Sequence, residues 1–401
     1  MKTKFLSLFL LSIIFFNIVL GENVIVIITD GMNFDCLSIV RKISQNPLKN
    51  ISFDNFSQVF YCETTADNTY ITDSAAAGTA IFTGCKTENG FIGIDKNKKN
   101  VENIIEFCKK KSFLTGVITN TRVTHATPAS TYSHVDERNK EYDIALQLSE
   151  KDIDLVMGGG LKYFLKENRY DKKDLLEEFT KKGYKVIKEK KGLKENTDKK
   201  VIALFSNSHL SYEFEKDTTE QPTLTEMVDY GLNYLYERSK KMNKEFFLMI
   251  ESGRIDHASH YTAFKELIFE LLETEKMVKR VLDFASKTNT TVLLVSDHAT
   301  ANPVFVGTFT DSLLHTMDSY FIKNVDTSSK ENLLKTLDSF KIKFTDISEF
   351  SGTKEESSYK GDHTGSDVLG FFYSKKFRIE KIFYKNYELF EIMKKSLMDN
   401  L

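Results

Sequence analysis

Strand and helix patterns alternate along this 401-residue chain, and acidic residues stand directly behind three of the strand-like runs. These two observations predict an α/β fold, a three-layer α/β/α sandwich around a mainly parallel β-sheet. A third observation sets the domain count. The chemically distinctive residues run from Asp30 to His363, so a site that uses both ends needs one folded unit.

The strand signals are short. Residues 24–29 read VIVIIT, a β-branched apolar run of the kind buried on both faces of a parallel sheet. Similar runs occupy 113–119, 153–157, 246–250, 290–295 and 368–373. Helical patterns lie between them. One covers 224–242 and opens at Thr223 with Glu226 three residues on, a reciprocal capping pair. Another covers 261–286, with Leu267, Leu271, Met277, Val281 and Phe284 at helical spacing. Asp30 follows VIVIIT, Glu251 follows FFLMI and Asp297 follows VLLVS. Open α/β sheets bind ligands beyond the carboxyl ends of their strands, so the acidic residues stand where a site is expected.

The ends of the chain read differently. Residues 1–21 have the pattern of a secretory signal peptide: Lys2 and Lys4, an apolar run from Phe5 to Leu20, then Gly21. An uncleaved anchor is the alternative. The run is interrupted by Asn17 and falls short of the roughly 20 residues a membrane span needs. Cleavage predicts an exported chain, periplasmic or extracellular, with no stable membrane span and a single domain over 22–401. Residues 303–360 have weak periodicity and many Ser, Thr and Asp. They are expected to form an insertion, a lid or small subdomain, near the active site. Residues 188–200 are charged and read as a surface loop.

The composition holds 55 Lys and Arg against 57 Asp and Glu, a formal net charge of −2. No basic block points to nucleic acid. Four cysteines, Cys36, Cys62, Cys85 and Cys108, all lie in the first third. In an exported chain they permit two disulfides; buried free thiols are the equal alternative.

Chemistry-bearing residues fall into separate motifs. Thr72-Asp73-Ser74-Ala75-Ala76-Ala77-Gly78 sets a serine beside an aspartate in a run of small residues. A serine hydroxyl needs a base or a metal to become a nucleophile. No Ser-His-Asp relay is evident, whereas metal ligands abound. Asp256 and His260 stand at i and i+4, one face of a helix, able to converge on one ion. Oxygen and imidazole donors together suit zinc. Asp297-His298 follows a strand, and His363 sits in the glycine-bracketed turn Gly361-Asp362-His363-Thr364-Gly365. Arg138 follows Arg122-Val-Thr-His125-Ala-Thr127-Pro128 and offers a planar fork for phosphate oxygens.

Together these motifs resemble the alkaline phosphatase family over nearly the whole chain. Asp73-Ser74-Ala75 is similar to its nucleophile motif. Thr83-Gly-Cys-Lys-Thr-Glu-Asn-Gly-Phe-Ile-Gly93 is similar to a downstream pattern. Residues 246–260, Ala126-Thr127-Pro128, Ser296-Asp297-His298 and His363-Thr364-Gly365 match further motifs in the family's order. The resemblance implies hydrolysis of small phosphate monoesters through a phosphoserine on Ser74. It implies two zinc ions and one magnesium. Asp256, His260 and His363 would hold the first zinc; Asp30, Asp297, His298 and Ser74 the second; Asp30, Thr127 and Glu251 the magnesium. Arg138 would clamp the phosphate, with His125, His257 and Asp73 behind these groups. Many bacterial members carry Asp and Lys where His125 and His257 stand. The expectation is therefore a differently bound third ion and looser hold on phosphate. An N-terminal dimerisation arm is not evident, so a homodimer is possible without being implied. An arylsulfatase would need Pro and Arg after the nucleophile, and Ser74-Ala-Ala-Ala-Gly has neither.

Overall fold

The computed structural model describes residues 22–43, 50–301, 303–305, 342–344 and 361–398. The apolar leader at 1–21 and most of the 303–360 segment lie outside them. In chain order the strands are β1 (Asn23–Ile28), β2 (Gln58–Glu63), β3 (Leu114–Arg122), β4 (Leu155–Gly159), β5 (Lys185–Ile187), β6 (Val201–Leu204), β7 (Phe246–Glu251) and β8 (Thr290–Val295). They continue with β9 (Ala299–Thr300), β10 (Pro303–Phe305), β11 (Ile342–Phe344), β12 (His363–Thr364), β13 (Val368–Tyr373) and β14 (Phe383–Lys385). The helices are α1 (Phe34–Ile43), α2 (Ser74–Thr83), α3 (Ile104–Lys110), α4 (Ala126–Ala129), α5 (Glu141–Glu150), α6 (Leu175–Lys181), α7 (Leu224–Met242), α8 (Arg254–His260), α9 (Phe264–Ala285) and α10 (Leu389–Met398).

Ten strands form one sheet in the order β14-β2-β13-β8-β1-β7-β3-β4-β6-β5. Its pairings are parallel except those of β13, which runs antiparallel to both β8 and β2. All six sequence-predicted strands are present. The helix over 224–242 has the expected boundaries and capping pair, with Thr223 and Glu226 bonding each other's backbone.

Alternation along β1 shows why the sheet is covered twice. Val24, Val26 and Ile28 enter a core with Ile81 and Phe82 of α2, Ile144 of α5 and Phe390 of α10. Ile25 and Ile27 enter a second core with Val228 and Leu232 of α7 and Leu271 and Val278 of α9. A strand with apolar residues on both faces must lie between two helical layers. The three-layer sandwich is therefore present.

Within the ten-stranded sheet, β2, β5, β6 and β14 were not among the sequence expectations, nor were β9 to β12, which form two separate two-stranded sheets. β2 alternates buried Phe60 and Cys62 with exposed Val59 and Tyr61, and β5 has three residues beside the Lys-rich loop. The four cysteines are all free thiols, with Cys36, Cys62 and Cys108 buried, which settles the disulfide alternatives. Among the described residues, no helix is long and apolar enough to cross a membrane.

Strands β8, β1, β7 and β3 are neighbours at the centre of the sheet. Asp297, Asp30 and Glu251 stand at the carboxyl ends of β8, β1 and β7, and Thr119 of β3 is in register with Glu251, so residues far apart in sequence become adjacent in space.

Candidate active site

Ser74 opens α2. Its predecessor Asp73 caps the helix, accepting a 2.9 Å hydrogen bond from the Ala76 amide. The other Asp73 oxygen accepts from the Gly90 amide at 3.1 Å and from Arg138 Nη1 at 2.9 Å. One carboxylate thus fixes the serine's helix and the arginine together. Ser74 is buried, and its Oγ lies 3.1 Å from His298 Nε2. The positive end of a helix dipole favours negative charge at this spot.

His298 Nε2 is a hub. It is 3.5 Å from Asp30 Oδ1 and 3.5 Å from Asp297 Oδ2. Its ring stacks on His363 at 3.8 Å between centroids. Asp256 Oδ1 lies 3.4 Å from His260 Nε2 and 3.8 Å from His363 Nε2. Gly31, at φ +73°, lets the chain pass here, because a Cβ at that position would stand 2.7 Å from Asp256 Oδ1. Its amide donates to Asp297 Oδ1 at 3.3 Å.

The far nitrogens of these imidazoles decide their tautomers. His260 Nδ1 faces the Gly361 carbonyl at 2.8 Å, and His363 Nδ1 faces the Thr72 carbonyl at 2.9 Å. A carbonyl only accepts, so each Nδ1 carries the proton and each Nε2 offers a lone pair. His298 Nδ1 lies 3.2 Å from Thr300 Oγ1, whose proton goes to Asp256 Oδ1 at 2.6 Å. The result is the same: Nε2 is the lone-pair side. Burial holds the basicity of His298 and His363 below that of a free imidazole, which keeps the rings neutral as ligation requires.

The donor set fits bound cations. Asp30, Asp297 and His298 bring one ligand atom each within 4.8 Å of one another, as do Asp256, His298 and His363. A third group joins Asp30, His125 and Glu251. Asp30 Oδ1, Asp297 Oδ2 and Glu251 Oε1 are buried without a hydrogen-bond partner. Burial, reinforced by the neighbouring carboxylates, raises Asp30 well above the ordinary range and Asp297 to about 7. Buried acceptors with no donor and with mutual repulsion are complementary to cations.

Every sequence-predicted site residue belongs to this region. Thr127, in the short α4, donates to Asp30 Oδ2 at 3.3 Å. His125 Nδ1 lies 3.9 Å from Glu251 Oε1, and its ring packs 5.4 Å from His257. The tight groups cut across the expected ligand sets in two places. His298, not His260, completes the tight group with Asp256 and His363. His125 also joins the group expected to consist of Asp30, Thr127 and Glu251. Arg138 Nη2 reaches His125 Nε2 at 3.3 Å, so the proton of neutral His125 sits on Nδ1, and in this tautomer the nitrogen that faces Glu251 Oε1 offers no lone pair to a cation. Burial, with Arg138 and Arg122 nearby, lowers its pKa to about 3.

Sequence reasoning missed several supporting residues. Thr300 orients His298 and Asp256. Thr119 and Thr121 both bond Glu251. His209 packs 4.4 Å from His257 and meets Arg122. Arg254 Nη1 reaches His257 Nδ1 at 3.0 Å and stacks on Tyr212 at 3.6 Å. The Thr-x-Thr spacing at a strand end was a readable signal; an isolated histidine such as His209 was not.

Residues 21–397 match the sequence profile of the alkaline phosphatase family. The chain is 33% identical over 314 residues to the repressible alkaline phosphatase of Saccharomyces cerevisiae, covering 71% of this chain and 56% of that one. It is 34% identical over 292 residues to alkaline phosphatase 4 of Bacillus subtilis, covering 70% of this chain and 61% of that one. It therefore spans less than two thirds of the length of these curated relatives. The solved alkaline phosphatase of the Antarctic bacterium TAB5 superposes with a TM-score of 0.73 at 25% identity, over 94% of this chain and 98% of that chain. Fold, profile and ordered motifs agree, and the chain belongs to the alkaline phosphatase family.

Proposed function

We propose that this chain is a metal-dependent phosphomonoesterase that hydrolyses small phosphate monoesters through a phosphoserine on Ser74. One observation carries the reading. The Ser74 hydroxyl stands at a helix N-terminus, 3.1 Å from His298 Nε2, beside ligand groups whose buried oxygens lack hydrogen-bond donors.

Asp256, His260 and His363 would hold one zinc ion, and Asp30, Asp297, His298 and Ser74 a second. Asp30, Thr127 and Glu251 would hold magnesium, a cation that prefers oxygen ligands. Bound there, the ions would supply Lewis acidity to the attacking and leaving oxygens of an in-line displacement.

The chain's own residues supply the rest. Arg138, steadied by Asp73, directs guanidinium hydrogens toward equatorial phosphate oxygens. The N-terminus of α2 favours the same anion. Ser74 Oγ forms a bond to phosphorus as the bond to the ester oxygen breaks. The departing alcohol takes up the proton that the serine gave up. Water then displaces Ser74 from phosphorus, releasing inorganic phosphate and restoring the hydroxyl. Phosphoryl transfer depends mainly on positioning and charge stabilisation, which this constellation supplies.

Residues 22–401 act as one catalytic domain, with 303–360 as an insertion, and the leader directs export to the periplasm or beyond. With His125 and His257 in place of Asp and Lys, phosphate is held less tightly than in members carrying those residues. A homodimer is compatible with this reading and is not required by it.

The test is p-nitrophenyl phosphate hydrolysis at alkaline pH by wild type and Ser74→Ala, chelated and then reloaded with zinc and magnesium. Turnover by wild type, loss on chelation, recovery with metal and a fall of about 10⁴-fold or more in Ser74→Ala are expected. Reloaded wild type that is inert on monoesters but cleaves a diester would overturn the monoesterase assignment.

A further inference from the structure

Glu251 ends β7, and β3 runs beside it with Thr119 in register against it. Beyond Ile118 the pairing of β3 with β4 shifts register before resuming at Arg122. Such irregularities re-aim side chains near sites. Here the shifted stretch is Thr119-Asn120-Thr121. Residues two apart on a strand share a face, and both threonine hydroxyls meet one carboxylate oxygen, Glu251 Oε2. Thr121 Oγ1 donates at 2.8 Å and Thr119 Oγ1 donates at shorter range. The Thr121 amide donates to Thr119 Oγ1 at 2.8 Å, and the two hydroxyls lie 2.7 Å apart, so they and Glu251 Oε2 form one closed cluster. Asn120 points the other way: its Oδ1 accepts from the Gly253 amide at 2.8 Å, and its Nδ2 donates to Glu270 at 3.0 Å. The loop after Glu251 is thereby tied to the same strand.

The two oxygens of Glu251 are therefore unequal. Oε2 receives two hydroxyl donors. Oε1 is fully buried, has no hydrogen-bond partner and lies 3.9 Å from His125 Nδ1; Glu251 as a residue groups with Asp30 and His125. We infer that Thr119 and Thr121 are positioning residues that saturate one oxygen of Glu251 and hold the other for the third cation, so the hydroxyl pair sets the affinity for magnesium there. This rests on the preceding functional reading.

The test uses the full chain, freed of metal and reloaded with zinc. Magnesium is titrated by equilibrium dialysis and by the shift in melting temperature, with no substrate present. Thr119→Val/Thr121→Val keeps shape and removes both donors; Thr119→Ser/Thr121→Ser keeps both. Loss of partners behind a metal ligand typically weakens binding about 10- to 100-fold. That weakening is expected for the valine pair, with the serine pair within about threefold of wild type. If the double valine variant fails to fold, Thr121→Val alone is measured and should weaken magnesium by about threefold or more. Wild-type affinity in the valine variants, or equal loss in the serine pair, overturns the inference while wild-type hydrolysis still supports the functional reading. Wild type that neither binds magnesium nor hydrolyses a monoester overturns both.

Discussion

Arg138 illustrates how much a single side chain's surroundings decide. Taken alone, Asp136-Glu137-Arg138-Asn139-Lys140 reads as a surface charge run. In the fold its guanidinium is held by Asp73 at 2.9 Å and faces His125 at 3.3 Å, with only a quarter of the side chain exposed. A planar fork can meet two oxygens of a phosphoryl group, and a lysine can present only a point charge. Arg138→Lys should therefore lower kcat/KM for a phosphate monoester by about 10²-fold, in line with losing one preorganised donor. Inhibition by inorganic phosphate should weaken in parallel. Steady-state kinetics with a phosphate inhibition series measures both, and unchanged phosphate affinity would exclude Arg138 from the anion site. Arg138 lies outside the ordered motifs and was legible only through the family resemblance, whereas Ser74, Asp256, His260, Asp297, His298 and His363 lie within them. Thr300 and His209 were not legible, since a threonine two residues past His298, or a histidine between loops, carries no periodic or motif signal. Their roles exist only once β9 and the 205–212 loop are brought against α8.

At the scale of elements, α2 and α4 show how tightly the serine and the proposed cation ligands are coupled. Gly78 of α2 faces the turn after α4, where a Cβ would come within 2.5 Å of Ser130 Oγ. That hydroxyl donates to the Thr127 carbonyl at 2.6 Å. Gly78→Ala should gain helix propensity but force the helices apart. Overpacking of this sort costs about 1–3 kcal/mol, and Thr127 would move with it. The expected outcome is a lower melting temperature together with weaker magnesium retention; a more stable, fully active variant would show that the contact is not limiting. A second element gives a pH signature away from the site. Glu106 caps α3 and is held by His134 Nε2 at 3.0 Å and Lys151 Nζ at 2.7 Å. Burial raises its carboxyl, but these partners outweigh burial and bring it down to about 2. A carboxyl whose pKa is lower in the folded chain stabilises fully above its ordinary value near 4.5, and that contribution is lost as pH falls toward 2. Glu106→Gln should cost on the order of 2 kcal/mol at pH 7 and progressively less below pH 4.5. Denaturant midpoints at pH 7 and pH 3 test it, and an equal loss at both would rule out the charge as the cause. The six strands and two long helices named from sequence were legible because burial on both faces or on one stripe leaves a pattern. β13's reversed direction was not, because VLGFFY has the same composition whichever way it runs.

Across the whole molecule, the sheet gathers four buried carboxylates, Asp30, Glu251, Asp256 and Asp297, beyond its central strands. Folding brings them together without a lysine among the groups that contact them, and Arg138 is the cation that most lowers Asp30. The metal-free fold therefore carries a repulsion that bound cations would remove, so sheet stability should be linked to site occupancy. A ligand present at about 1,000 times its Kd stabilises the folded state by about 4 kcal/mol. Chelated protein should melt several degrees below the zinc- and magnesium-loaded form, in a transition that depends on metal concentration. Lower stability on chelation alone would fit any metalloprotein, so the informative comparison adds Asp297→Asn. Replacing one carboxylate by an amide relieves repulsion but removes a proposed ligand. The variant should be more stable than wild type when both are chelated and less stable when both are loaded. Calorimetric melts of the four samples decide the matter. A variant that is destabilised in both states would mean that Asp297 serves packing and hydrogen bonding through Gly31 and His298 more than it serves a cation.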